Sequence, residues 1–136
     1  MIKGVIFDMD GLMFDTERLS TEGWLYAGEK CGYAITRELI DSTRGQARNR
    51  TKKMMEDLFG SDFDYGLLTD ISRDYMDAVI EKEGLPVKEG LFQLLKVLNE
   101  NNYKKAVATS TERHRVEKLL LEACLEAMKT GAIVGI

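Results

Sequence analysis

The sequence predicts an α/β fold: a parallel sheet with a block of helices inserted after its first strand. Three observations predict it. A short apolar run, Val5-Ile6-Phe7, opens the chain almost at once and stops at two aspartates, Asp8 and Asp10. A long stretch of 3–4 apolar spacing with no strand signal follows. The second half then returns to a helix–strand–helix alternation, the pattern of parallel sheets.

The first strand comprises Val5, Ile6 and Phe7, β-branched or aromatic residues suited to a buried strand. Asp15 or Thr16 can cap the next helix, with Glu17 in its first turn and an end before Gly32. A short helix follows Thr36 through Glu38, Leu39 and Ile40. After a basic stretch from Ser42 to Arg50, a third helix shows Met54, Met55, Leu58 and Phe59 on one face and ends at Gly60. A fourth places Leu68, Ile71, Tyr75 and Ala78 on its stripe, and Gly84-Leu85-Pro86 closes the segment. Beyond it, Leu91, Leu94, Leu95 and Leu98 mark a helix broken by Asn101 and Asn102. Tyr103 to Thr109 reads as a strand with Ala106-Val107-Ala108 as its buried part. Thr111 is then a candidate cap for a helix striped by Val116, Leu119, Leu120 and Ala123, and Ala132 to Ile136 is a candidate third strand. The α/β domain is expected at 1–15 and 87–136, and the helical domain at 16–86, over the carboxyl end of the first strand.

The totals exclude several function classes. With 19 Lys+Arg against 23 Asp+Glu, the net charge of −4 gives no general reason to bind nucleic acid or an anionic membrane. No apolar stretch is long enough to span a bilayer and no signal peptide precedes the strand, so a cytoplasmic location is expected. Cys31 and Cys124 are far apart and, with His114 the one histidine, make no standard zinc site; both are expected reduced. Trp24 and Tyr26 read as helix packing, Met54 and Met55 as a helix face, and His114 as an exposed helix residue.

The chemistry concentrates at Asp8-Met9-Asp10-Gly11. Asp and Gly are common turn residues, so taken alone the segment is either a polar strand exit or a site. In open α/β sheets ligands bind beyond the carboxyl ends of strands, where these two carboxylates fall. Thr109 to Thr111 ends the later strand, and taken alone it reads as a helix N-cap before it reads as a site. Arg44, Gly45 and Arg48 form a basic loop, read either as solvated or as an anion-binding fork.

Val5-Ile6-Phe7-Asp8-Met9-Asp10-Gly11, Asp15-Thr16-Glu17 and Ala106-Val107-Ala108-Thr109-Ser110-Thr111, with helices between the two ends, resemble the haloacid dehalogenase superfamily. The likeness is to its helical-cap members of the β-phosphoglucomutase and phosphoglycolate phosphatase kind. It implies a Rossmann-like core with an inserted four-helix cap, and phosphatase or phosphomutase chemistry on a small phosphorylated metabolite. Asp8 would be the nucleophile that becomes an aspartyl-phosphate, and Asp10 the general acid/base. Mg²⁺ would be held by the Asp8 carboxylate and the Asp10 carbonyl. Met9 and Gly11 main-chain groups, Thr109 and Ser110 would bind phosphate, and Arg44, Gly45 and Arg48 would read substrate from the cap.

Two further motifs of that superfamily, a Gly-Lys-Pro lysine and a distal acidic pair such as Gly-Asp-Asp, do not occur in the sequence. Lys118 and Lys129 stand in another context, Lys118 within a helix. The resemblance thus implies a C-terminally truncated core, weak or absent turnover, and self-association or pairing with a missing remainder through an open sheet edge. The alternative is an inactive relative that binds phosphate or a partner protein. A response-regulator receiver domain is disfavoured by the helices directly after the first strand.

Overall fold

The strand that opens the chain, β1 (Gly4–Phe7), pairs in parallel with β2 (Lys104–Val107) in a computed structural model that describes residues 1–131. Between them in sequence lie α1 (Thr16–Cys31), α2 (Arg37–Thr43), α3 (Arg48–Phe59), α4 (Tyr65–Glu83) and α5 (Leu91–Glu100); α6 (Arg113–Lys129) follows β2. The order is the expected strand, four helices, helix, strand, helix. The candidate strand at 132–136 lies outside the described residues.

The chain divides into two compact units, one of residues 1–17 and 80–136, the other of residues 18–79. These limits differ from the expected 1–15, 16–86 and 87–136 because α1 and α4 each run through a boundary without interruption.

In the α/β unit, β1 aligns Gly4 with Lys104 and Phe7 with Val107. Phe7, Met9, Met13, Phe14, Ile80, Leu85, Leu91, Leu98, Leu119, Ala123 and Ala127 are its buried apolar residues among those described. Phe14 holds the segment after β1 in place through bridges to Asp10 and Val87. The Asp15 N–H donates to the Pro86 carbonyl at 2.8 Å and the Lys88 N–H to the Met13 carbonyl at 2.9 Å. A Lys88–Asp15 ion pair at 3.3 Å accompanies them.

Several expected core positions lie outside. Ile6 is 73% exposed, and Ala106 and Ala108 are exposed as well. Side chains alternate across a strand, so Phe7 and Val5 face one side and Ile6 with its neighbour Ala106 the other. Among the described residues no element buries that second face. On α5, Leu91 and Leu98 are buried while Leu94 is exposed. Thr111 does not cap α6: the N-cap is Glu112, without a side-chain cap bond.

The helical unit has its own core of Ala27, Ile35, Ile40, Met55, Phe63 and Leu68. Tyr33, Phe59 and Phe63 form an aromatic cluster with centroid distances of 4.8 to 5.5 Å. Thr36 caps α2 as expected, accepting the Leu39 N–H at 3.2 Å, and Gly60 ends α3 at φ +102°. Leu58 and Ala78, expected on buried stripes, are exposed. On α4 the buried set within this unit is Leu68, Ser72 and Met76, spaced by four. Ser72 sits against Gly23 of α1, where a side chain would meet its Oγ at 2.6 Å. No helix among the described residues is long and apolar enough to cross a membrane.

Candidate active site

The chain leaves β1 at Phe7, and the next three residues divide the work of anchoring and exposure. Met9 is fully buried and fixes the turn, while Asp8 before it is exposed and Asp10 after it is half-buried. The Met9 carbonyl accepts the N–H groups of Met13 and Phe14 at 3.0 and 3.3 Å, and Gly11 donates to the Phe14 carbonyl at 2.8 Å. Gly11 has φ +79°, a left-handed conformation that favours glycine, and an added Cβ would also displace the Glu17 carboxylate, 2.8 Å away.

Asp8 Oδ1 accepts the Met9 N–H at 2.9 Å, which orients the carboxylate at the strand end. Asp10 is bound from three places. Its Oδ1 accepts from the Thr16 hydroxyl at 2.6 Å; its Oδ2 accepts from Thr111 at 2.7 Å and from Thr109 at 3.4 Å. Thr109 Oγ1 in turn accepts the Thr111 N–H at 3.1 Å, which steadies the loop after β2. Parallel pairing of β1 with β2 brings these loops together, because both strands end on the same side.

The structure thus joins Asp10 to Thr109 across nearly the whole chain. Ser110 lies exposed in the same loop. The Met9 and Gly11 N–H groups, expected to face phosphate, are engaged with Asp8 and with the Phe14 carbonyl. Thr16 and Thr111 belong to the cluster although neither was among the expected site residues. Both read as caps in sequence, and nothing local distinguishes a capping hydroxyl from one whose acceptor is a distant carboxylate.

Arg44, Gly45 and Arg48 lie in the helical unit. Arg44 Nε donates to Asp41 at 2.9 Å and its Nη2 to the buried Thr21 hydroxyl at 3.1 Å. Gly45 turns the loop at φ +72°, with open space where a Cβ would stand. The Arg48 guanidinium lies 6.0 Å from the centroid of Tyr65.

Asp8 and the Asp10 carbonyl offer oxygen donors of the kind a hard cation takes. Among the described residues no group of three or more His, Cys, Asp or Glu could hold a metal ion.

Comparison with known proteins identifies the family. Residues 5–133 match the family described as haloacid dehalogenase-like hydrolase, and the chain belongs to that family. An uncharacterised protein of the fgs 3′ region of Lacticaseibacillus casei is 28% identical over 120 residues, 88% of this chain and 55% of that protein. A hydrolase from Pseudomonas syringae superposes with a TM-score of 0.70 at 19% identity, covering 88% of this chain and 55% of its own. A family member from Deinococcus radiodurans, solved with bound phosphate and sodium, gives 0.64 at 20% identity, covering 91% and 53%. A β-phosphoglucomutase from Clostridium difficile gives 0.61 at 22% identity, covering 79% and 51%. The chain spans about half the length of these relatives.

Proposed function

We propose that this chain carries the phosphoryl-accepting site of a Mg²⁺-dependent, cytoplasmic phosphatase or phosphomutase acting on a small phosphorylated metabolite. The observation that carries the reading is the pairing of an exposed Asp8 at the end of β1 with an Asp10 tethered by hydroxyls from both sides of the site. The family membership and the fold shared with a β-phosphoglucomutase and with a phosphate-bound relative support it.

Asp8 Oδ attacks phosphorus, a P–Oδ bond forms, and the bond from phosphorus to the leaving oxygen breaks. Asp10 delivers the proton that the leaving oxygen needs. Water, or a sugar hydroxyl in a mutase, then attacks the aspartyl-phosphate, Asp10 takes its proton, and Asp8 is released as carboxylate. Both Asp10 oxygens already accept hydroxyls, and Oδ1, which accepts one, keeps a lone pair for the transferred proton. Thr109 and Ser110 supply hydroxyls at the end of β2 for phosphate oxygens. Asp8 and the Asp10 carbonyl would hold Mg²⁺, which would supply compensation for the charge of the phosphoryl group. The helical unit acts as the cap, and Arg44, Gly45 and Arg48 form its substrate-reading loop; for Arg44 this means leaving Asp41 or Thr21.

A second reading is a phosphate- or partner-binding protein without turnover. Titration with beryllofluoride and Mg²⁺, read by fluorine NMR, tests both. A bound resonance that disappears in Asp8→Asn, together with hydrolysis of p-nitrophenyl phosphate, supports the enzyme. The same resonance without turnover supports a phosphate-binding protein, and no resonance at all overturns the enzyme and the phosphate-binding protein alike.

A further inference from the structure

We infer that Thr111 holds Asp10 in its reacting position while phosphate is bound, because Thr109 has one hydroxyl proton and cannot give it to Asp10 and to phosphate at once. The inference rests on the reading of Asp8 and Asp10 as a phosphoryl-transfer pair.

Main-chain pairing first sets the two loops side by side. The Ala108 N–H donates to the Phe7 carbonyl at 2.8 Å, directly before Thr109 on one strand and directly before Asp8 on the other. From that point the loop after β2 presents two threonines to the same oxygen, Asp10 Oδ2.

The two bonds are unequal. Hydroxyl bonds to oxygen run about 2.5–3.0 Å. Thr111 Oγ1 lies at 2.7 Å, inside that range, and Thr109 Oγ1 at 3.4 Å, beyond it. A threonine hydroxyl has one proton to give and two lone pairs to accept with. Thr109 directs its proton at Asp10 and accepts the Thr111 N–H, at 3.1 Å, on a lone pair.

A phosphate oxygen at the end of β2 takes donors. Thr109 can donate to it only by turning its proton away from Asp10, and the bond then given up is the long one. The Thr111 N–H bond uses a lone pair of Thr109, so it persists and keeps the Thr109 oxygen in place while the proton changes partner. Among the described residues Thr111 is then the one hydroxyl left on Oδ2, and Thr16 remains on Oδ1 at 2.6 Å. A carboxylate held at both oxygens cannot rotate about its bond to Cβ, whereas one held at a single oxygen can. Removing the Thr111 hydroxyl therefore frees Asp10 in the loaded site, where its aim matters to proton transfer.

The test uses the full chain with Mg²⁺, p-nitrophenyl phosphate and beryllofluoride. Thr111→Val is expected to lower kcat on the order of tenfold, to change KM less than about twofold, and to keep the bound fluorine resonance. Thr111→Ser should recover most of kcat. Thr109→Val should show the converse, a KM and a beryllofluoride dissociation constant raised on the order of tenfold with a smaller loss of kcat. Circular dichroism reports folding, and Thr111→Ala carries the same expectations if Thr111→Val loses the folded signal. The inference is overturned, with the phosphoryl-transfer reading intact, by an unchanged kcat in Thr111→Val or by a loss that Thr111→Ser does not recover. Loss of the bound resonance in Thr111→Val overturns it too, as does a Thr109→Val chain that binds normally and loses as much kcat. An unsubstituted chain that binds beryllofluoride without turnover also overturns it, since no reaction is left for Thr111 to serve. Neither binding nor turnover in the unsubstituted chain is instead the failure of the phosphoryl-transfer reading, and the inference falls with it.

Discussion

The Thr111 hydroxyl reaches Asp10 Oδ2 at 2.7 Å, and the Thr16 hydroxyl reaches Oδ1 at 2.6 Å. A hydrogen bond to a charged group contributes about 1.5–3 kcal/mol, less where water competes. Thr111→Val is therefore expected to lower the unfolding free energy by about 1–2 kcal/mol in urea titration, and Thr111→Ser to retain most of it. If Asp10 serves as the acid and base, Thr111→Val should also lower kcat for a phosphate ester more than it changes KM. Asp8 and Asp10 were legible in the sequence because two acids after an apolar strand are an unusual expense of charge. The hydroxyls that hold Asp10 were not. Thr16 stands at the start of α1 and Thr111 just before α6, places where a threonine ordinarily serves the adjacent helix. Their acceptor lies on a different loop, and for Thr111 the separation in sequence is 101 residues.

At the scale of elements, the contact between α1 and α4 in the helical unit depends on Gly23. An added Cβ would meet Ser72 Oγ at 2.6 Å and the Ser72 carbonyl at 2.7 Å. The second of these is backbone and cannot swing aside, so Gly23→Ala is expected to cost about 1–3 kcal/mol by overpacking, read as a lowered urea midpoint. On α4, burial pushes the Tyr65 phenol above its ordinary value of 10.0, against the opposing pull of Arg48 and Arg73. Its folded-state value exceeds the unfolded one, so its contribution is intact below about 10 and declines as pH rises through the folded value. The fall of stability above pH 10 should be shallower in Tyr65→Phe. Element type and order followed well from periodicity, as with Thr36 starting α2 and Gly60 ending α3. Which apolar residues are covered did not follow. Leu94 and Ala78 keep perfect helical spacing yet stand exposed, because a period identifies a face and says nothing of whether another element packs on it.

For the molecule as a whole, the two units differ in how their cores are made. The helical unit is continuous in sequence and closes around Ile35, Met55, Phe63 and Leu68. A peptide of residues 16–83 is therefore expected to keep a helical circular dichroism spectrum and a cooperative thermal transition. The α/β unit is assembled from two separated segments and depends on the residues that join them. Phe14, fully buried and bridged to both Asp10 and Val87, is the foremost of these. Phe14→Ala is expected to cost about 3–5 kcal/mol, enough to unfold that unit while the helical signal persists.

The bonds from Asp15 to Pro86 and from Lys88 to Met13 have a consequence for modularity. The outgoing and returning strands of chain are stitched side by side within the α/β unit, so the loop they bound begins and ends at one place. Whatever polypeptide is spliced in there need only bring its own two termini close together. The position is thus a graft point, at which a foreign domain could replace the native helices and leave the aspartate turn undisturbed.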